Sequence, residues 1–353
     1  MYKVAVFGAG NGGCALAADI SKLGHSVVLN ADPNHARNIA AIVERGGVDV
    51  VSEHDSTHVP IGLATTDLSA TVSGAQYLFV CLPTYAHESL FEKLVPLLED
   101  GQVVILVSGN LSSIKLHKCL QEKRPSLKVH VGETNTLPYA CRVSEPSVVN
   151  IFATKKKISL AFFSNTGIST ESIETVKKFF PCELRIAKNL IEISLLNNNG
   201  VQHPVTTVLN TGWVETTKGD FYFYKDGISP SVAKVMEEID RERLKIADAY
   251  ALKLPDILSL NEEFYGFPCP DLLTFARNPF VHNRVKAAPQ DMKARYVSED
   301  VLYVLVPWLQ FAMSANLKLK VIPALVELAS VINGVDYMKE AQQISALEIE
   351  LCS

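Results

Sequence analysis

A glycine-rich segment near the start of the chain has the spacing GxGxxG and consists of Gly8, Ala9, Gly10, Asn11, Gly12 and Gly13. It follows a short apolar run typical of a buried strand, Lys3–Phe7, and it precedes a run with helical spacing. In such a unit the first glycine permits the tight turn, the second lets the backbone approach a pyrophosphate, and the third allows close packing of helix on strand. The segment therefore predicts a dinucleotide site rather than an ordinary glycine-rich turn.

An acidic residue is expected about 20 residues further on, where its carboxylate bonds the adenosine ribose. Asp32 is the candidate because it follows a second predicted strand, Ser26–Leu29. A carboxylate at that position repels a 2′-phosphate, which favours NAD(H) over NADP(H). Arg37 could instead approach such a phosphate, or it could be a solvated helix residue, so NADP(H) stays possible.

A further predicted strand, Tyr77–Leu82, ends at Leu82 and Pro83. Ligands of doubly wound sheets bind beyond the carboxyl ends of the strands. We therefore expect this turn to border the nicotinamide ribose; the alternative is a proline that simply ends the strand.

His203 is the strongest candidate for proton transfer. It lies in a polar helical segment with Asn197, Asn198, Asn199 and Gln202, and Asn199 is four residues away on the same helix face. A histidine in an apolar core would not need such neighbours. Because imidazole titrates near neutral pH, it can take up a proton and later return it.

Two charged residues near position 300 could also serve a site. Arg295 could grip a carboxylate with two parallel hydrogen bonds, or it could be a surface charge. Asp300 precedes an apolar helical run that starts at Val301, so it could simply be the N-cap of that helix.

The elements that must position these residues change character along the chain. Up to about residue 187, strand-like runs alternate with helical patterns, which predicts a mostly parallel sheet with right-handed crossovers. After residue 188 helical spacing dominates, and Tyr265–Pro289 is interpreted as a long ordered loop. The predicted fold class is therefore α/β, with a doubly wound Rossmann domain at 1–187 followed by a mostly α-helical domain at 188–353.

Composition limits the function further. The 353 residues are 48% hydrophobic and 20% charged, with a net charge of −5, so nothing favours a nucleic acid or an anionic membrane as partner. Neither a signal peptide nor an apolar run of about 18 residues is visible. The seven scattered cysteines show no metal-binding spacing and indicate reduced thiols, hence a cytoplasmic protein. We expect a monomer or a homodimer.

The chain resembles the opine dehydrogenases, the octopine/nopaline dehydrogenase family, over nearly its whole length. Besides the glycine-rich segment, the resemblance rests on the sequences at Glu133–Arg142, Asn197–Pro204 and Arg295–Asp300. It implies an NAD(P)H-dependent oxidoreductase of CH–NH groups that joins the amino group of an amino acid to an α-keto acid and reduces the resulting imine. The product is a secondary amine dicarboxylate.

The same resemblance assigns roles to individual residues. His203 matches the catalytic histidine, Asp300 its carboxylate partner, with Glu299 as the adjacent competitor, and Arg295 the substrate arginine. In the Glu133–Arg142 segment, interpreted from Thr136 onward as a loop facing an interdomain cleft, Thr136 could bond a substrate carboxylate. Asn135 stands where arginine-using members carry an acid, which disfavours a guanidinium-bearing substrate.

Two other functions stay open at this point. One is a two-domain dehydrogenase for 2-hydroxy acids, 3-hydroxy acids or polyol phosphates that uses no amine; those enzymes usually depend on a lysine at the catalytic helix, and here no lysine lies between Asn189 and Thr217. The other is a non-enzymatic dinucleotide sensor, against which the presence of His203, Arg295 and Asp300 argues.

Overall fold

The structure is a computed structural model that describes residues 1–53, 55–163, 167–278, 283, 286 and 288–352. The chain divides into two compact units, unit 1 at Met1–Leu190 and unit 2 at Ile191–Ser353. This division falls close to the predicted boundary after residue 187.

Unit 1 contains twelve strands and six complete helices within the described residues. The strands are β1 (Lys3–Phe7), β2 (Ser26–Asn30), β3 (Gly47–Val51), β4 (Ser56–Pro60), β5 (Leu63–Thr65), β6 (Tyr77–Val80), β7 (Val103–Leu106), β8 (His130–Thr134), β9 (Tyr139–Glu145), β10 (Val148–Thr154), β11 (Lys157–Phe162) and β12 (Glu183–Ile186). The helices are α1 (Asn11–Lys22), α2 (Arg37–Arg45), α3 (Leu68–Val72), α4 (His87–Leu94), α5 (Ser112–Lys123) and α6 (Thr170–Phe179).

Eight of these strands form the main sheet in the order β12-β11-β8-β7-β6-β1-β2-β5. All neighbouring pairs are parallel except β11 with β8. The chain enters at β1, proceeds to β2 on one side, and later places β6 on the other side of β1. The strand order thus reverses beside β1, and ligands of doubly wound sheets bind at such a point. The predicted Rossmann fold class is confirmed.

The central strands of this sheet are apolar over almost their whole length because both faces are covered. In β6 and β7 every residue is buried, and so are the last four residues of β1. The first helix packs on this layer through a nearly continuous buried run from Gly12 to Ala18. The core of unit 1 therefore fixes the position of the glycine-rich turn that joins β1 to α1.

A second sheet of four strands, in the order β4-β3-β10-β9, was not predicted. It corrects the interpretation of the segment from Thr136 to Cys141 as a loop, because β9 begins at Tyr139 and pairs with β10 in antiparallel register. In β9 only one of the seven residues is buried and three are exposed, and in β4 four of the five residues are exposed. Such polar strands lack the apolar pattern from which a strand can be predicted.

Glu133, at the end of β8, has a structural role in unit 1. Its carboxylate accepts the backbone N–H groups of Leu111 at 2.8 Å and Ser113 at 3.1 Å, at the start of α5. Burial raises the pKa of this carboxyl, and these hydrogen bonds oppose the rise. The turn before α5 has positive φ angles at Ser108 and Asn110, so the hydrogen bonds that Glu133 accepts stabilise a strained backbone.

Unit 2 is helical in its described part. Helix α7 (Leu190–Leu195) begins at the unit boundary and is followed by α8 (Asn199–Leu209), α9 (Thr211–Thr217), α10 (Pro230–Ala249), α11 (Ile257–Tyr265), α12 (Leu272–Arg277), α13 (Arg295–Ser298), a π-helical turn (Val301–Leu305), α14 (Val306–Ser314), α15 (Val321–Asn333), α16 (Tyr337–Glu340) and α17 (Ala346–Cys352). Helix α12 interrupts the predicted loop Tyr265–Pro289; residues 279–282, 284, 285 and 287 of that loop lie outside the described residues.

A buried ion pair lies inside unit 2. Arg243 of α10 is fully buried and bonds Asp240 at 2.7 Å. Its guanidinium also donates to the backbone oxygens of Leu195 and Pro255, and the other carboxylate oxygen of Asp240 accepts the N–H of Ile257. These bonds tie α10 to the ends of α7 and α11 from the interior.

No helix within the described ranges is both long enough and apolar enough to cross a bilayer.

Candidate functional site

The turn between β1 and α1 has the geometry that a pyrophosphate requires. Gly8 has a φ of +106°, which L side chains rarely adopt, and a Cβ on Gly13 would lie 1.7 Å from the carbonyl oxygen of Gly8. A Cβ on Gly10 would meet no atom within 4 Å, so the space beside it is open. No side chain among the described residues caps α1, which leaves its first N–H groups available to an anion.

This turn opens onto a cavity of roughly 700 Å³ that unit 1 forms by itself. Its lining includes these predicted cofactor residues: Gly8, Ala9, Gly10, Asp32, Leu82 and Pro83. The cavity therefore extends from the glycine-rich turn to the ends of β2 and β6. These residues fit a nicotinamide dinucleotide, because a glycine turn, a helix start and a carboxylate after β2 line one space.

The other predicted cofactor residues lie in the first turn of α1 and do not line the cavity. Gly12 and Gly13 are buried, whereas the side chain of Asn11 accepts the N–H of Val143 in β9 at 2.8 Å. Asn11 thus links α1 to the second sheet. Arg37, the alternative phosphate contact, is exposed at the start of α2 and lies outside the cavity lining.

Asn135 and Thr136 follow β8 at the carboxyl edge of the main sheet and are buried. The side chain of Asn135 accepts the N–H of Ser159 at 2.9 Å and extends the pairing of β8 with β11. The hydroxyl of Thr136 accepts a hydrogen bond of 2.5 Å from the ammonium group of Lys155. Burial lowers the pKa of Lys155 to about 7. Sequence reasoning missed this lysine, which no local motif distinguishes from other lysines.

In unit 2 the structure brings His203 and Asp300 together. Nδ1 of His203, on α8, lies 2.8 Å from Oδ2 of Asp300, and the two side chains are 12% and 8% exposed. Burial raises the pKa of Asp300, and the hydrogen bond to His203 opposes the rise. Because a carboxylate accepts only, Nδ1 carries the proton and Nε2 has the lone pair. This arrangement can accept a proton at Nε2 and stabilise the resulting imidazolium.

Asp300 does not act as the N-cap considered above. Its backbone is already helical, its side chain caps no N–H group, and a π-helical turn follows it directly. Such turns often occur at functional sites because they widen the helix locally and redirect its side chains. The carboxylate is therefore directed to His203 and not to its own helix.

Two tyrosines contact the imidazole of His203. The hydroxyl of Tyr224 lies 3.0 Å from Nε2, and the ring of Tyr296 stacks on the imidazole with centroids 4.1 Å apart. Burial raises the pKa of Tyr224 well above its usual value, so its hydroxyl stays a donor at neutral pH. Sequence analysis missed Tyr224, which belongs to an aromatic run, Phe221–Tyr224, typical of a core.

Arg295 and Glu299 form an ion pair one helical turn apart. The side chain of Glu299 is buried, whereas that of Arg295 is 64% exposed. Glu299, the competitor for the place beside His203, thus pairs with Arg295 through the arginine Nε. Asn199 begins α8, where its N–H bonds the side chain of Asn197.

Residues 186–333 match the model of the family described as NAD/NADP octopine/nopaline dehydrogenase, alpha-helical domain, and residues 4–129 match ketopantoate reductase PanE/ApbA. An opine dehydrogenase of Arthrobacter sp. (strain 1C) is 30% identical over 347 residues, which cover 97% of this chain and 94% of the relative. A D-nopaline dehydrogenase of Agrobacterium tumefaciens (strain T37) is 27% identical over 363 residues, which cover 92% of this chain and 84% of the relative.

Solved structures show the same fold. A structure of octopine dehydrogenase with NADH and L-arginine has a TM-score of 0.75 at 20% identity, covering 95% of this chain and 90% of that one. A structure of yersinopine dehydrogenase with NADP⁺ has a TM-score of 0.73 at 17% identity, covering 100% and 94%. With sequence similarity extending over both units, the chain belongs to the opine dehydrogenase family of NAD(P)-dependent oxidoreductases that act on CH–NH groups.

Proposed function

We propose that this chain joins an α-keto acid, such as pyruvate, to the amino group of an amino acid in an NADH-dependent reduction that yields a secondary amine dicarboxylate. The observation that carries the proposal is the pairing of His203 with Asp300 at 2.8 Å. An octopine dehydrogenase that shares this fold has been solved with NADH and L-arginine and with NADH and pyruvate, which supports two such substrates.

His203 is proposed as the group that moves protons. Its Nε2 takes a proton from the ammonium group of the amino acid, and the neutral amine then attacks the keto carbonyl. The imidazolium, stabilised by Asp300, returns that proton to the hydroxyl group that leaves as water, so the histidine ends unchanged. Loss of water leaves a protonated imine, and hydride addition to its carbon yields the secondary amine without a further proton. Nicotinamide dinucleotide, when bound, supplies the hydride.

Arg295 and Thr136 are proposed to hold carboxylate groups of the substrates. A guanidinium offers paired donors that match a carboxylate, and the buried carboxylate of Glu299 limits the directions in which Arg295 can point. The hydroxyl of Thr136 accepts from Lys155, so its own proton can be donated to a substrate oxygen. Asn199 and Asn135 are further candidates for polar contacts with substrate.

The cofactor is proposed to bind along the cavity of unit 1. Backbone N–H groups at the start of α1 receive the pyrophosphate beside Gly10, and Asp32 receives the adenosine ribose. Leu82 and Pro83 line the end of the cavity formed by β6. The carboxylate of Asp32 favours NAD(H).

The amino acid is proposed to lack a guanidinium group, because Asn135 offers no negative charge to neutralise one. We further propose that the protein acts in the cytoplasm, as a monomer or a homodimer. All seven cysteines are free thiols, which supports a reducing compartment.

A second candidate is a keto acid reductase that uses no amine, because residues 4–129 match the ketopantoate reductase family. The oxidation of NADH with pyruvate, measured with and without a panel of amino acids, separates the two functions. Amine coupling predicts turnover only when a suitable amino acid is present, and mass spectrometry should detect the secondary amine. Equal turnover with pyruvate alone would favour the second candidate, and no NADH oxidation with any pair would reject both.

A further inference from the structure

The cavity of unit 1 is lined by a pair of opposite charges near the end of β2. Among its described lining residues Asp32 is the one carboxylate and Lys93 the one lysine. Asp32 follows β2, whereas Lys93 belongs to the last turn of α4, 61 residues further along the chain. Sequence analysis identified Asp32 but gave no reason to consider Lys93.

Both oxygens of the Asp32 carboxylate have partners. One accepts the N–H of Asn34 at 3.0 Å, and the other accepts from Nζ of Lys93 at 3.3 Å. These hydrogen bonds, that from Asn34 first, lower the pKa of Asp32. The carboxylate is therefore ionised at neutral pH and is held in place by a residue of its own turn.

The two members of the pair differ in freedom of movement. Asn34 fixes Asp32 within a tight turn, whereas Lys93 reaches it through a long side chain that is 59% exposed. An exposed ion pair between a lysine and a carboxylate is weak, and water readily replaces either partner. Lys93 can thus leave Asp32 for a stronger anion without any change in the backbone.

A 2′-phosphate on the adenosine ribose would be such an anion. Asp32 alone would repel it, because like charges in close contact are unfavourable. With Lys93 in the same lining, the charge of the carboxylate is balanced, and the ammonium group can donate to the phosphate.

We propose that Lys93 is a specificity-determining residue that allows this cavity to bind NADPH as well as NADH. With NADH, Lys93 stays on Asp32 and the carboxylate accepts from the ribose hydroxyl. With NADPH, Lys93 turns to the 2′-phosphate. Arg37 is exposed and does not line the cavity, so we expect it to contribute less to this choice than Lys93.

The test measures the binding of each reduced cofactor to the full-length protein in the absence of substrates. The fluorescence of the bound nicotinamide reports the binding. Because no turnover is needed, the result does not depend on the amine-coupling reaction. We expect the wild-type dissociation constants for NADH and NADPH to lie within about tenfold of each other. Lys93→Ala should weaken NADPH binding by about 10- to 100-fold, the usual value of a hydrogen bond between charged groups, and should change NADH binding little.

Lys115 provides a matched control. It also pairs with a carboxylate, that of Glu88, at 3.3 Å, but it lies outside the cavity lining. Lys115→Ala and Arg37→Ala should leave the ratio of the two dissociation constants unchanged. Asp32→Ala should shift the ratio toward NADPH, and this shift should be smaller when Lys93 is also replaced by alanine.

Three results would overturn the proposal. The wild-type protein could bind NADH but not NADPH, Lys93→Ala could leave the ratio unchanged, or Lys93→Ala could weaken both cofactors equally. The unchanged NADH affinity of the variant also reports that unit 1 is correctly folded. If wild type bound neither cofactor, the dinucleotide site itself would be rejected.

Discussion

Nδ1 of His203 lies 2.8 Å from Oδ2 of Asp300, although the two residues are 97 positions apart in the chain. The carboxylate selects the tautomer in which Nε2 can accept a proton, and it stabilises the imidazolium that follows. Asp300→Asn keeps the shape but removes the negative charge. We expect kcat to fall by about 10²- to 10⁴-fold, the usual value of positioned proton transfer. The dissociation constant for NADH should stay unchanged.

Steady-state rates and NADH titration of the same preparation check this prediction. Glu327→Gln on the exposed side of α15 is the matched control, because it removes one carboxylate charge from the surface of the same unit. A loss of NADH binding with intact turnover per bound enzyme would contradict the proposed role of Asp300.

Tyr224 donates its hydroxyl hydrogen to Nε2 of His203, the atom proposed to accept the substrate proton. Tyr224→Phe keeps the ring and its packing against Phe223 but removes this hydrogen bond. One hydrogen bond contributes about 1 kcal/mol, so kcat should fall by about three- to tenfold as the imidazole loses its fixed orientation. An unchanged or higher kcat would show that the hydroxyl only occupies the place of the substrate.

Arg295 is proposed to bind the carboxylate of the keto acid. Arg295→Ala should raise the KM for the keto acid by about 10- to 100-fold, because a hydrogen bond between charged groups is lost, and should change the KM for the amino acid far less. Arg295→Lys should recover only part of this effect, since an ammonium group lacks the planar pair of donors. Equal changes in both KM values would reject the assignment.

The ion pair of Arg243 and Asp240 is fully enclosed in unit 2. Arg243→Leu leaves the Asp240 carboxylate buried without its partner, which should lower the free energy of unfolding by about 3–5 kcal/mol. Chemical denaturation measures this change. Arg241→Leu on the same helix is the control: it removes an exposed pair and should cost no more than about 0.5 kcal/mol. If the free energy of unfolding fell by a similar amount in both variants, burial would not be the reason for the effect at Arg243.

Burial lowers the pKa of Lys155 to about 7, from about 10.4 in an unfolded chain. Between these values the unfolded state binds more protons than the folded state, so this group makes the protein more stable as pH rises. Below pH 7 both states are protonated and the full cost of the buried charge remains.

Lys155→Met removes the titrating group and with it this contribution to the pH dependence of stability. The free energy of unfolding of wild type relative to the variant should therefore increase from pH 6.5 to pH 9, as measured by denaturation at each pH. Lys156→Met, at the exposed neighbouring position, should show no such change relative to wild type. A parallel pH dependence in wild type and Lys155→Met would show that Lys155 keeps its proton in the folded protein over this range, so that burial does not lower its pKa.

Much of the fold could be predicted from the sequence. The bounds of β1 agree with those expected, and β2 and β6 begin at the expected residues, because short apolar runs encode these strands locally. The second sheet could not be predicted, because β4 and β9 are polar and β10 pairs with β3, about 100 residues away in the chain. In unit 2 the apolar run that starts at Val301 predicted an ordinary helix, whereas the structure contains a π-helical turn before α14.

The amino-acid sequence by itself determined the glycine turn and the alternation of strands and helices, because both depend on residue types at short spacing. The family resemblance of the sequence singled out His203, Arg295 and Asp300 as candidate site residues. Only the tertiary structure decided that Asp300 pairs with His203 while Glu299 pairs with Arg295, since these adjacent carboxylates look alike in the sequence. It also placed Tyr224 on Nε2 and Lys93 beside Asp32. Contacts between residues far apart in the chain depend on how helices and strands pack, and the local spacing of residue types does not specify that packing.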